Sequence, residues 1–62
     1  MARWVEKERR WDKRYGDYVL RFQGAFETPK GLTRRCGHWH ETEVRANACA
    51  SMLEHRVWLD AR

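Results

Sequence analysis

The side chains most able to do chemistry are gathered in Cys36-Gly37-His38-Trp39-His40, with Cys49 nine residues further on. Thiolate sulfur and imidazole nitrogen are zinc ligands, and two of each make a four-coordinate set. On an extended chain Cys36, His38 and His40 fall at i, i+2 and i+4 and share one face. Their spacing is not the usual Cys-x2-4-Cys with His-x3-5-His. A helical Cys49 packed on the sheet would also meet its inner face while the trio points outward. The sequence therefore predicts no metal and no cofactor. Cys49 becomes a core thiol, His55 a surface residue, and a chelator should leave thermal stability unchanged. A Cys36 nucleophile beside two histidines would need an enclosed pocket and oxyanion donors, which an open strand face lacks. The expectation is a protein that is not an enzyme.

The second chemical resource is charge. The chain has 62 residues, with 13 Lys+Arg, 9 Asp+Glu and a formal charge of +4. Residues 1–35 carry ten basic side chains against five acidic ones, and residues 36–62 carry three against four. A polyanion should therefore meet the first half. A net charge also serves solubility alone. Two cysteines are too few for a disulfide framework, and no apolar run has the length of a membrane span or a signal-peptide core. These features point to a cytoplasmic protein without membrane attachment.

These residues must be positioned by one small domain, because a chain this short buries only about 60% of its unfolded surface. Four Trp, two Tyr and two Phe with a single Pro argue for a folded chain over residues 1–62. Asp17-Tyr18-Val19-Leu20-Arg21-Phe22-Gln23 alternates, with Tyr18, Leu20 and Phe22 on one face, as a half-buried strand does. Glu27-Thr28-Pro29-Lys30-Gly31 has turn chemistry, so a hairpin should close there. The run 33–41 reads as a third strand with Trp39 inward and Arg34, Cys36, His38 and His40 outward. From Glu43 to Leu59 good helix formers run without Gly or Pro, headed by Thr42 as a cap. Ala46, Cys49, Ala50, Leu53 and Val57 share one helical face, with Met52 at its edge and Asn47, Ser51 and Glu54 opposite. The first fifteen residues fit two patterns. Trp4, Glu8, Trp11 and Tyr15 recur at helical spacing, while Arg3-Trp4-Val5-Glu6-Lys7 forms a strand with Trp4 inward. The strand is preferred because a two-stranded hairpin with one helix is barely self-sufficient. Residues 9–17 then become a mobile basic connection. The predicted fold is α+β, a three-stranded antiparallel sheet (3–8, 17–24, 33–41) packed against one C-terminal helix (43–58).

This order of elements resembles the arm-type, AP2-like DNA-binding domain at the N-terminus of tyrosine recombinases, the phage integrases. The resemblance spans roughly residues 3–57. It rests on Met1-Ala2-Arg3-Trp4-Val5-Glu6-Lys7, the strand Tyr18-Val19-Leu20-Arg21-Phe22, and Trp39 ahead of Glu41-Thr42-Glu43 and Ala46-Asn47-Ala48. The loop between the first two strands is longer than in that family, and Cys36-Gly37-His38-Trp39-His40 is no motif of it. Neither Tyr15 nor Tyr18 can be assigned the recombinase's nucleophilic role. The resemblance implies double-stranded DNA binding through the sheet face turned away from the helix. By strand alternation that face holds Lys7, Arg21, Gln23, Arg34, His38 and His40. Arg and Gln there would read bases, while Arg9, Arg10, Lys13, Arg14 and Lys30 in the loops would grip phosphates. The alternative is a small phage-type or bacterial protein-binding module, an inhibitor or adaptor. It would use Trp11 and Trp58, which find no obvious place in the core.

Overall fold

Alternation along Asp17–Glu27, broken by no proline, builds the long central strand of the domain. The computed structural model describes residues 2–61; Met1 of the opening segment and Arg62 of the charge count lie outside the described residues. Strands β1 (Arg3–Asp12), β2 (Asp17–Glu27) and β3 (Thr33–Arg35) form an antiparallel sheet in the order β1-β2-β3, followed by helix α1 (Glu43–Asp60). This is the expected α+β architecture.

Residues 9–12 continue β1, where a mobile connection was expected. They pair as Arg9↔Leu20, Arg10↔Val19, Trp11↔Tyr18 and Asp12↔Asp17. Residues 13–16 close the turn, with the Gly16 N–H donating to the Asp12 carbonyl at 2.8 Å and the Arg14 N–H to Asp12 Oδ1 at 2.8 Å. The second hairpin closes where Pro29 and Gly31 predicted. The Gly31 N–H donates to the Thr28 carbonyl, and Gly31 adopts a φ of +80° that suits glycine.

Close packing sets the helix position. A Cβ on Gly24 would lie 2.3 Å from the Ala46 carbonyl oxygen and 2.4 Å from Ala50 Cβ, so α1 sits directly on the β2 backbone there. Ala46, Ala50, Ala25 and Phe26 are the fully buried apolar residues, and Phe26 alone among them is large. Thr42 caps the helix, its side chain accepting from the Arg45 N–H at 3.2 Å. The helix contacts depart from the predicted face in two places. Asn47 and Glu54, expected on the solvent side, turn to the sheet, where Arg3 Nε donates to Asn47 Oδ1 at 3.1 Å and Arg3 Nη1 to Glu54 Oε1 at 2.8 Å. Glu54 is 7% exposed, a burial that its guanidinium partner makes tolerable. Trp58 also finds a place, its Nε1 donating to the Glu27 carbonyl at 3.1 Å.

Directly opposed residues of an antiparallel pair point to the same face. Opposite Phe26, Gly24, Phe22, Leu20 and Tyr18, the helix side of β1 carries Arg3, Val5, Lys7, Arg9 and Trp11. Trp4, expected inward, therefore points away from the helix, beside Ala25. A one-residue error of parity moves every side chain of a strand to the other face. Arg34 pairs with Phe26 and lies on the helix side as well. The helix covers the Gly24–Phe26 end, and the β1–β2 ribbon continues past it. Trp11 and Tyr18, on the helix-facing side, are 59% and 62% exposed, and the molecule measures 46 × 16 × 15 Å.

Candidate functional site

Two groups of side chains offer function, one near the root of the ribbon and one along the ribbon to its tip. The first is the Cys/His set. After Arg35 the chain leaves regular pairing: the Cys36 N–H donates to the Gly24 carbonyl at 2.9 Å, Gly37 takes a φ of +87°, and His40 rejoins the edge of β2 by exchanging two backbone hydrogen bonds with Phe22. Cys36 and His40 thus sit opposite Gly24 and Phe22, residues on the helix side of β2. Cys49 lies one residue before the buried Ala50. The expectation that the trio points away from Cys49 is overturned. One ligand atom from each of Cys36, His38, His40 and Cys49 falls within 4.8 Å of every other.

Within the cluster, His38 Nε2 lies 3.2 Å from Cys49 Sγ and His40 Nε2 lies 3.7 Å from Cys36 Sγ. The His38 Nδ1 is 3.0 Å from the Cys36 carbonyl, a contact that places a proton on Nδ1 and leaves the Nε2 lone pair facing the cluster. Burial, then the charges of His38 and Arg45, hold His40 below the usual imidazole range. Burial, then Cys36, push the Cys49 thiol up. Thiol and imidazole donors so arranged can hold a soft or borderline metal ion, or the two sulfurs can be oxidised together. Both cysteines are free thiols here.

The second group is the basic ribbon, whose two faces differ. On the face away from the helix the register places Glu6, Glu8, Asp12 and Asp17 against Arg10, Arg21 and Arg35. These charges neutralise one another. Arg35 Nε and Nη2 donate to Glu6 at 2.5 and 3.1 Å, and Arg21 Nη2 donates to Asp12 Oδ2 at 2.9 Å. Arg10 reaches Glu8 at 3.5 Å and lies 4.9 Å above the Trp39 ring, which therefore belongs to this outer side and not to the core. The Arg35 guanidinium holds the Glu6 carboxyl below its ordinary range. The Arg14 backbone N–H, followed by the Arg14 and Arg21 side chains, does the same for Asp12.

The outer face is therefore not the free basic surface expected of it. Arg21 is committed to Asp12, and Gln23 is 9% exposed. Lys7 and Arg34 lie on the other face, and His38 and His40 belong to the Cys/His cluster. The helix side of the ribbon instead carries Lys7 and Arg9 with Trp11, Tyr18 and Leu20, and the register puts no carboxylate among them. Among the described residues no carboxylate pairs with Lys7, Arg9 or Lys13. At the tip, Arg14 contacts Asp12 and Glu41 at 3.5 and 3.6 Å and lies over Tyr15. Trp11 and Tyr18 meet edge to face, with centroids 5.4 Å apart. Lys30 is exposed in the second hairpin, remote from the tip along the sheet.

Among the described residues no helix is long and apolar enough to cross a membrane. No protein-family model, curated protein or solved structure matches the chain.

Proposed function

We propose that the domain binds double-stranded DNA through the projecting β1–β2 ribbon, and that it does so without catalysis. The observation supporting this reading is the one-sided chemistry of that ribbon: Lys7, Arg9 and the tip residue Lys13 have no carboxylate partner, on an element narrow enough for a groove. The major groove admits a two-stranded ribbon, and phosphate contacts supply most of the affinity of such complexes. Lys7, Arg9, Lys13 and Arg14 meet phosphates, while Arg10 stays with Glu8 and Trp39 on the other face. Arg21 and Gln23 are withdrawn from base reading by their ion pair and burial, so sequence preference is weak and binding follows charge.

The exposed Trp11, Tyr15, Tyr18 and Leu20 favour a second reading, a protein partner docked on the ribbon tip. Titration of duplex binding against salt separates the two. Each phosphate contact contributes about 0.9 to the slope of log K against log salt, so the double variant Lys7→Ala/Arg9→Ala should lower that slope by nearly 2. Arg56→Ala, on the helix, should leave it unchanged. Absence of duplex affinity at physiological salt, or a slope untouched by the double variant, would refute DNA binding at this site.

A further inference from the structure

We infer that Cys36, His38, His40 and Cys49 form a closed, structural zinc site that clamps the β3–α1 connection and the helix to the edge of β2. The inference stands independently of the duplex-binding reading. Zinc takes thiolate at about 2.3 Å and imidazole at about 2.0–2.1 Å in a tetrahedron, which sets ligand-to-ligand edges of roughly 3.3–3.8 Å. The two sulfur–nitrogen contacts of 3.2 and 3.7 Å across the cluster lie within about 0.4 Å of the sulfur–nitrogen edge of such a tetrahedron. The remaining pairs, all within 4.8 Å, need at most about 1–1.5 Å of contraction.

The surroundings are those of a metal site. Metal-bound histidine characteristically gives its second ring nitrogen to a carbonyl or carboxylate, which fixes the tautomer and aims the lone pair. His38 does this with the Cys36 carbonyl at 3.0 Å. A shallow groove of about 230 Å³, lined by Cys36, His38, Cys49, Met52, Leu53 and Arg56, gives an ion access from solvent. The mixed sulfur and nitrogen donor set selects zinc over magnesium or calcium, which prefer oxygen. Four protein donors leave no open coordination position, so the ion serves structure and not catalysis.

The fold also needs such a clamp. Domains below about 70–80 residues commonly add a disulfide or a metal because one small core is insufficient. Among the described residues the fully buried apolar set is three alanines and Phe26. The four ligands come from the end of β3, the loop after it, the residue bridged to Phe22, and the middle of α1, segments joined otherwise by few large apolar contacts. A Cys36–Cys49 disulfide would tie two of these and leave both histidines without a role.

The test uses the full chain purified with reductant and loaded with zinc or cobalt(II). Elemental analysis should find one zinc per chain. Cobalt should show the intense visible bands of four-coordinate thiolate ligation. His38→Ala and Cys49→Ser should each lower affinity by on the order of 100-fold or more, beyond the loss of an outer-shell partner. His38→Cys should keep cobalt four-coordinate with a third thiolate. His55→Ala, exposed on the helix, should bind as the parent does. Because His38 is exposed in a loop, His38→Ala should keep the apo fold, as circular dichroism in chelator would show. Chelator should lower the melting temperature of the parent and leave His38→Ala unchanged. Reduced, folded protein that takes up no stoichiometric zinc would overturn the site. So would a His38→Ala variant binding as tightly as the parent, or zinc-insensitive stability.

Discussion

Gly24→Ala should be the most damaging single-methyl change in the molecule. Gly24 has no positive φ that would by itself require glycine. The obstacle is steric, because the added Cβ would fall 2.3 Å from the Ala46 carbonyl oxygen and 2.4 Å from Ala50 Cβ. Carbon contacts are comfortable near 3.5–4.0 Å, so α1 must retreat by roughly 1 Å or more. No rotamer change relieves a clash with backbone. Overpacking of this kind costs about 1–3 kcal/mol, and the retreat also weakens dispersion along the seam with Phe26. Against this, alanine lowers the entropy of the unfolded chain, a gain of about 0.4–1 kcal/mol. An overlap this deep, against backbone, puts the cost at the upper end of that range, so the net loss should be about 2 kcal/mol. A 62-residue domain has on the order of 3–9 kcal/mol in total. Urea unfolding in chelator and reductant would read the loss as a lowered midpoint at unchanged slope, with a melting point lower by about 10 °C or more. Gly16→Ala is the control: nothing lies within 4 Å of its Cβ, and its φ of +63° should cost about 1–2 kcal/mol. The same retreat draws Cys49 away from Cys36, whose N–H is bonded to the Gly24 carbonyl, so zinc affinity should fall together with stability. A Gly24→Ala protein within about 0.5 kcal/mol of the parent would refute the close-packing argument.

Two further outcomes follow from the ion pairs and the half-buried Trp58 indole. Glu6 and Asp12 have folded pKa values below their unfolded ones, so the stability they contribute is present above the ordinary carboxylate range and lost as pH falls through the folded values. Acid unfolding below about pH 4 should be shallower in Glu6→Gln, and an unchanged profile would disprove the Glu6–Arg35 contribution. Trp58→Phe keeps most of the half-buried ring but removes the donor to the Glu27 carbonyl, which should cost about 0.5–1.5 kcal/mol in urea unfolding.

Much of the fold was legible because local chemistry and tertiary packing agree. Alternation marked β2, Pro29 and Gly31 marked the second hairpin, and Thr42 ahead of an uninterrupted run marked the helix. β1 was legible as a strand but not in its facing. Its two faces, Trp4-Glu6-Glu8 and Val5-Lys7-Arg9, are each one apolar residue followed by charges, and size alone favours Trp4 as the buried one. Tertiary contacts decide the matter the other way: the helix sits so close over Gly24 that Val5, opposite Gly24, takes the covered position, and Arg3 is drawn to Glu54. The length of β1 is hidden in the sequence for a related reason. Arg9, Arg10 and Asp12 look like loop residues, yet Trp11 pairs with Tyr18 and the ribbon carries its charges in solvent.

The same inward placement of an aromatic hid the metal ligands. Spacing puts Cys36, His38 and His40 on a common side, but with Trp39 in the core all three would turn to solvent. Trp39 instead lies under Arg10 on the outer side, and Gly37 lets the chain bend so that His38 folds back while His40 regains the edge of β2. No periodicity argument anticipates that bend, because it depends on a single left-handed residue inside an apparently regular strand. The inventory points to the cluster, and only the facing of the trio, now reversed, and the unusual spacing speak against it. Two cysteines and two histidines within fourteen residues, in a domain with so little apolar volume to bury, match the ligand count of a tetrahedral ion, and a thin core is the condition under which such an ion repays its binding with folding.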